Sequence, residues 1–470
     1  MTTQTSDNTM TAIAPKRVRM VTLGCAKNEV DSDRMRTLIE SSPAFVVVDD
    51  EDEPADVAIV NTCSFLVAAV QEGIDLTLEM TGAKLPDGED VPVVMSGCIP
   101  SRYGEKLVEE MPEVAAFLPV DQEDSVVDVL ARVCGLTSVD TYAPRTPEVL
   151  RTVRSATAYV MISDGCDRFC SFCAIPYIRG RYHSRPADVI LDEVRGLVQG
   201  GVREVVLIGQ DTGIWGNDLP EGRSLAWLIR EVAAELRPVN GWLRVLYLQP
   251  EGMTDDLVAA IRDTPEVVPY IDLPLQHSCA EVLARMNRTG DDRSFTELID
   301  RLRADIPGMV VRTTAMAGFP GETDEEFENL CAFLRRSDFD YTSVFAYSQE
   351  DGTTAAELPD QVDEDEKLER AQELQDIADT YGFASAATRV GKTYRVLVDA
   401  TEQDDDGNVE AIGRAYFQAP DSDGVVHLGQ ADVTMGEFYE VRIDDAVCYE
   451  LFGTIVAPDA AEPGPSGKRL

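Results

Sequence analysis

The chain reads as an α/β protein in three parts: an N-terminal parallel α/β sheet domain, a central partial (β/α)6 barrel, and a small C-terminal antiparallel β-barrel. Three observations lead there. Short apolar runs alternate with helical stretches over residues 16–135, and a second such series runs over 153–388. From about Arg389 the pattern changes to period two, broken by Gly and Asp. The length of 470 residues fits roughly three domains of about 150 residues each. Hydrophobic residues make up 44%, enough to bury sizeable cores.

Taken in order, residues 1–15 form a polar leader without the apolar core of a signal peptide, expected to be disordered. Then VRMVTLGC, DVAIVNTC and VPVVMSGC read as three strands, each ending in a small residue and a cysteine. Helical stretches follow at 31–41 and 63–80, which predicts a parallel sheet with helices on its faces. Ligands of such sheets bind beyond the carboxyl ends of the strands, where Cys25, Cys63 and Cys98 fall. Residues 136–152, with Pro144 and Pro147, read as a linker. Strand candidates at 158–163, 204–209, 243–248, 269–273, 310–316 and 341–347 alternate with helical stretches such as 186–199 and 224–236. That series predicts an open barrel with its site at the C-terminal strand ends. Over 389–457, TYRVLVDA, NVEAIGRAYF, GVVHL and EFYEVRIDDAVCYELFGTIV predict the small barrel, with DDDGN and DSDG as hairpin turns. The tail, 458–470, is poor in core residues and expected to be disordered.

Lys and Arg number 41 against 85 Asp and Glu, a formal net charge of −44. Such a chain repels phosphate backbones and attracts a basic partner, although a generally acidic proteome produces the same excess. No run of 18 apolar residues occurs, so no membrane span is expected. Ten cysteines without an export signal point to metal or redox use for the clustered ones. Cys134, Cys331 and Cys448 stand alone and read as core or incidental residues.

The densest chemical signal is DGCDRFCSFC, which puts Cys166, Cys170 and Cys173 at the end of the first barrel strand. Three thiolates hold three irons of a [4Fe–4S] cubane and leave the fourth open. A chelating amino acid fills that position through its amine and carboxylate, as S-adenosylmethionine does. A structural zinc site is the competing reading, but it favours four ligands in close pairs, and only His183 is near. Phe172 inside the loop is placed to pack near an adenine, with plain packing an equal reading. Cys25, Cys63 and Cys98, at equivalent strand ends, predict a second three-cysteine cluster. Gln210, Asp211, Gln276 and His277 lie near predicted strand ends and are candidate cofactor contacts. Gly318 opens the glycine-rich turn GFPGET, which suits close approach to a cofactor or serves as an ordinary βα turn. Arg179, Arg181 and Arg185 form a basic group beside the cluster loop, suited to a carboxylate or to plain solvation.

From about Arg17 to Val456 these segments resemble the methylthiotransferase family of radical-SAM enzymes. That resemblance implies a first cluster on Cys25, Cys63 and Cys98, a radical-SAM barrel around Cys166, Cys170 and Cys173, and a C-terminal TRAM barrel that binds substrate. Within the family, four motifs resemble the branch that modifies ribosomal protein S-12 rather than the branch that modifies tRNA: LGCAKNEVDSDRM, GQDTGIWGNDL with Asp211, DLPLQHSCAEVLARMNR with His277, and RTTAMAGFPGET with Thr313 and Thr314. Trp215 departs from the commoner Tyr.

The implied reaction places a methylthio group on the β-carbon of an aspartate. It uses S-adenosylmethionine twice, as methyl donor to a sulfur at the first cluster and as radical source at the second. A sulfur donor and an electron donor such as flavodoxin or ferredoxin are implied, in a cytoplasmic monomer. Charge favours the same branch, because residues 389–454 carry five basic and fourteen acidic residues. The alternatives are a tRNA methylthiotransferase and a non-catalytic iron–sulfur electron carrier; a basic stripe on the last segment would mark the former, and the sequence has none there.

Overall fold

The computed structural model describes residues 14–50, 53–85, 88–136, 151, 153–403 and 409–456. Most of the expected leader and linker, the tail, and the DDDGN turn at 404–408 lie outside the described residues. The chain divides into two compact units, residues 1–64 with 68–149, and residues 65–67 with 150–470.

The first unit is built on five parallel strands, β1 (Lys16–Thr22), β2 (Phe45–Val48), β3 (Val57–Thr62), β4 (Val93–Gly97) and β5 (Ala116–Pro119), in the order β2-β1-β3-β4-β5. The three cysteine-terminated runs are β1, β3 and β4. All of β3 is buried, as a central parallel strand covered on both faces must be. Met35, Leu38 and Ile39 of helix Ala26–Glu40 cover one part of the sheet, and Ile99, Leu107 and Met111 another. The strand order reverses between β1 and β3, and at such a switch point neighbouring loops part to leave a crevice.

In the second unit β6 (Thr157–Met161) leads into a short hairpin, β7 (Ser163–Asp164) and β8 (His183–Ser184). Five further strands complete the predicted six: β9 (Glu204–Ile208), β10 (Trp242–Val245), β11 (Tyr270–Gln276), β12 (Val310–Ala317) and β13 (Tyr341–Ala346). They pair in parallel as two three-stranded sheets, β10-β9-β6 and β11-β12-β13, joined by a bridge between Leu243 and Val267. Period-two alternation sorts the faces. Val205, Leu207, Leu243, Ile271 and Val311 pack outward in the main hydrophobic core with the helices. Their neighbours Glu204, Arg244, Tyr270 and Arg312 fall on the opposite, inner face.

The C-terminal segment closes into a barrel of five strands: β14 (Thr393–Gln403), β15 (Val409–Ala415), β16 (Val426–His427), β17 (Phe438–Val447) and β18 (Glu450–Ile455), ordered β14-β15-β16-β18-β17. It sits against the amino ends of the larger barrel's strands. Buried Glu204, at the start of β9, meets both Arg244 and Arg414 at 2.8 Å. Tyr159 and Tyr270 donate hydroxyls to Asp421 (2.6 Å) and Asp423 (2.5 Å), and Arg312 pairs with Asp423. The cysteine loop leaves the other end of β6, so the small barrel closes the end opposite it. Among the described residues no helix is long and apolar enough to cross a membrane.

Candidate functional site

In the first unit, Cys25 and Cys98 each follow a glycine that turns the chain beyond a strand end. Gly24 has φ +102°, and a Cβ there would lie 2.6 Å from Cys63 Cβ. Gly97, at φ +91°, would put one 2.2 Å from Asn61 Oδ1. Glycine alone permits both turns. Cys25 occupies the N-cap of helix Ala26–Glu40. Asn28, fully buried, ties the group together. Its Nδ2 donates to Leu23 O and Thr62 O, both at 2.9 Å. Its Oδ1 faces the thiols of Cys98 at 3.7 Å and Cys25 at 4.0 Å. Two of the three thiols, those of Cys98 and Cys25, therefore face one side-chain amide, and Cys63 lies against Gly24 beside them.

In the second unit, Cys166, Cys170 and Cys173 share one loop held from several sides. Asn287 Nδ2 donates to Arg168 O and Phe169 O at 3.0 Å, which locks Phe169 at φ +47°. Ser171 Oγ donates to Arg285 O (2.8 Å), and Ser171 O accepts from Ala355 N (2.7 Å). Gly165 could carry no side chain, since a Cβ would fall 2.1 Å from Arg181 O. Burial pushes the Cys173 thiol up to about 12; Cys170 and Cys166 push the same way, and Arg288 opposes them. Burial raises Cys166 likewise. Thiols this reluctant to ionise lose their protons to a bound metal rather than to water. Among the described residues no three Cys, His, Asp or Glu side chains are grouped as ligands of one metal ion. A cubane makes no such demand, because it spreads three thiolates over three irons. The donor set suits a [4Fe–4S] cluster held by Cys166, Cys170 and Cys173.

Gln210 and Asp211 follow β9 at the same end of the barrel. Gln210 Nε2 donates to Asp164 Oδ1 at 3.0 Å, and Arg168 Nε donates to Asp211 Oδ2 at 2.5 Å. Burial pushes the Asp211 carboxyl up, with Arg168 opposing. Gln210 Oε1 and Asp211 Oδ1 are buried without a hydrogen-bond partner, as expected of atoms facing a ligand. Gln276 sits at φ +74° at the end of β11. His277 is 1% exposed; its Nδ1 accepts from Cys279 N at 2.9 Å and its Nε2 lies 3.6 Å from Glu322, so it belongs to a buried side-chain network. Gly318 has φ +74°, and a Cβ there would strike Lys367 Cγ at 2.3 Å. Close packing of helix Glu364–Ala387 is sufficient reason for glycine at this position. Phe172 packs against the main core.

The basic group divides. Arg185 pairs with Glu193 at 2.7 Å, Arg179 is buried 3.5 Å from Asp164, and Arg181 is exposed over the Phe169 ring. Trp215 is buried and donates Nε1 to Arg185 O. Sequence reasoning missed Asn28, Arg168, Asn287 and Arg288. Asn28 stands three residues after Cys25, and Asn287 and Arg288 lie in the quoted stretch ending ARMNR, so proximity to motifs was the available signal.

Comparison with known proteins follows the same division. Residues 17–119 match Uncharacterized protein family UPF0004, residues 160–334 the Radical SAM superfamily, and residues 390–456 the TRAM domain. Ribosomal protein uS12 methylthiotransferase RimO of Geobacter sulfurreducens is 38% identical over 94% of this chain and 99% of its own length. RimO of Geotalea uraniireducens is 39% identical over 95% and 100%. The radical S-adenosylmethionine methyltransferase TsrM from Kitasatospora setae, solved with tryptophan substrate and a SAM analog, aligns with TM-score 0.51 at 16% identity, covering 70% of this chain and 72% of that one. That likeness speaks to the fold.

Proposed function

The chain belongs to the family of ribosomal protein uS12 methylthiotransferases called RimO, and from that premise we infer a radical-SAM enzyme that adds a methylthio group to the β-carbon of an aspartate of uS12. The observation that carries the reading is the pair of three-thiol sets, Cys25–Cys63–Cys98 and Cys166–Cys170–Cys173, each at the carboxyl ends of parallel strands. The reaction needs a source of radical and a place for sulfur, and two thiol sets supply two clusters. A cluster held in the barrel loop, with S-adenosylmethionine bound, would supply the radical chemistry needed at an unactivated C–H bond.

The chain's own residues bind and orient. Cys166, Cys170 and Cys173 would hold the barrel cluster; Cys25, Cys63 and Cys98 would hold the second. Gln210 and Asp211 offer buried acceptor atoms to the cofactor. Arg168, held between Asp211 and Glu251, orders the cluster loop. A low-potential one-electron donor of the flavodoxin or ferredoxin type and a separate sulfur donor complete the scheme. The enzyme works as a cytoplasmic monomer, where its ribosomal substrate is made and its ten cysteines, none of them in a disulfide, stay reduced. Mass spectrometry of ribosomal proteins and tRNA from a deletion strain tests this. We expect the methylthio mass to vanish from uS12 with tRNA unchanged. Loss from tRNA instead would overturn the reading.

A further inference from the structure

We propose that Arg288 sets the reduction potential of the barrel cluster, by holding a fixed positive charge against the Cys170 sulfur. The inference rests on Cys166, Cys170 and Cys173 binding a cluster. Arg288 is 9% exposed, and among the described residues no carboxylate lies within ion-pair distance of it. Other arginines of this barrel do meet acids: Arg168 holds Asp211, Arg285 holds Glu326, and Arg370 holds Glu322. Arg288 instead has two neutral acceptors on Nη2, Gln249 Oε1 at 2.6 Å and Pro274 O at 2.9 Å. Its Nε is buried without a partner. Those neutral contacts aim Nη1 at Cys170 Sγ, 4.0 Å away.

Asp211 and Glu251 feel the charge of Arg288 from a distance, but a buried guanidinium without a carboxylate in direct contact is costly, and negative charge bound beside it offsets that cost. Three thiolates around an iron–sulfur core supply that negative charge. One-electron reduction adds one more negative charge, taken from the external donor, with no bond made or broken. A cation fixed beside a ligating sulfur favours the reduced form, and hydrogen bonds to sulfur and local charge are known levers on cluster potential. Arg288 lies beyond the motif's three cysteines in sequence and is brought to them by the helix Ala280–Arg285 and the turn after it.

The test uses the full-length chain carrying Cys25→Ala, Cys63→Ala and Cys98→Ala, so that a single cluster is titrated. Arg288→Met and Arg288→Lys are introduced there. Anaerobic potentiometric titration, followed by electron paramagnetic resonance without S-adenosylmethionine, reads the midpoint. For Arg288→Met we expect iron and sulfide to be retained and the reduced-to-oxidised ratio at fixed potential to fall about tenfold, a downward shift of about 59 mV for a one-electron couple. Arg288→Lys should fall between Met and wild type. An unchanged midpoint in Arg288→Met overturns the proposal. If that variant loses its iron, the lysine variant decides: a midpoint below wild type supports the proposal, and an unshifted midpoint or loss of iron there too overturns it. An unchanged midpoint with a weakened spectral response to added S-adenosylmethionine moves the charge to the cofactor's carboxylate and also overturns it. None of these outcomes depends on the identity of the substrate, so failure here and failure on uS12 are read separately.

Discussion

At the scale of single residues, the duties proposed for the two thiol sets are separable by mutation. Replacing Cys166, Cys170 and Cys173 together by Ala removes the only cysteines of the barrel loop. We expect anaerobic iron content to fall and 5′-deoxyadenosine formation to vanish. Undiminished 5′-deoxyadenosine would show that the radical arises elsewhere. Replacing Cys25, Cys63 and Cys98 by Ala touches a different compact unit. Here 5′-deoxyadenosine should persist while methylthio transfer to uS12 stops, and iron equal to wild type would leave no second cluster to explain. The cysteines were legible because their spacing is itself the chemistry. Asn28 and Arg288 were not, because an amide or a guanidinium carries no spacing rule; only burial against a thiol gives it meaning.

At the scale of elements, six strands of the barrel were legible from apolar runs bounded by turns. The short flanking strands β2 and β5 of the first sheet, four residues each, were too brief to stand out from their surroundings. The GFPGET turn shows where sequence left two readings open. Its first glycine packs under helix Glu364–Ala387, against Lys367. Gly318→Ala forces both a left-handed backbone, costing about 1–2 kcal/mol, and displacement of the lysine stem. We expect a lower midpoint of thermal unfolding, with affinity for S-adenosylmethionine little changed in the fraction that stays folded. A selective loss of cofactor binding at unchanged stability would instead assign Gly318 to the cofactor.

At the scale of the whole molecule, charge is divided between a buried seam and an acidic exterior. Burial pushes the Glu204 carboxyl up, but Arg414 and Arg244 more than offset this, and the net value lies below the ordinary glutamate value of 4.5. A carboxylate depressed on folding stabilises the native state above its ordinary value, and that contribution is lost as pH falls through the depressed one. Asp399 beside it is pushed up by burial against Arg414 and acts in the opposite sense. Glu204→Gln should therefore cost about 3 kcal/mol in denaturant titrations at neutral pH, because two buried guanidinium groups lose a partner. The gap from wild type should narrow toward acid; a gap that does not change with pH would show that Glu204 is not the titrating group.

Outside the seam, Asp432 and Asp445 are exposed on the small barrel. If acidity steers a basic ribosomal protein, Asp432→Lys with Asp445→Lys slows uS12 association several-fold at low salt. The difference should fade as salt shortens the Debye length to about 10 Å at 0.1 M. Equal on-rates at low salt would leave the acidity without a part in substrate capture.

The amino-acid sequence by itself determined the three-part α/β architecture, the two cysteine triplets and the acid excess, because hydrophobic period, ligand spacing and composition are properties of the chain in one dimension. Tertiary structure alone decided where that charge goes. Three of the five basic residues of the last segment turn away from solvent: Arg414 into Glu204, Arg389 onto Asp340, and Arg395 over the Phe438 ring. A count of charges cannot distinguish a cation that faces water from one that neutralises a buried acid. That pairing depends on β15 lying against the starts of strands more than two hundred residues earlier, a contact no local pattern encodes.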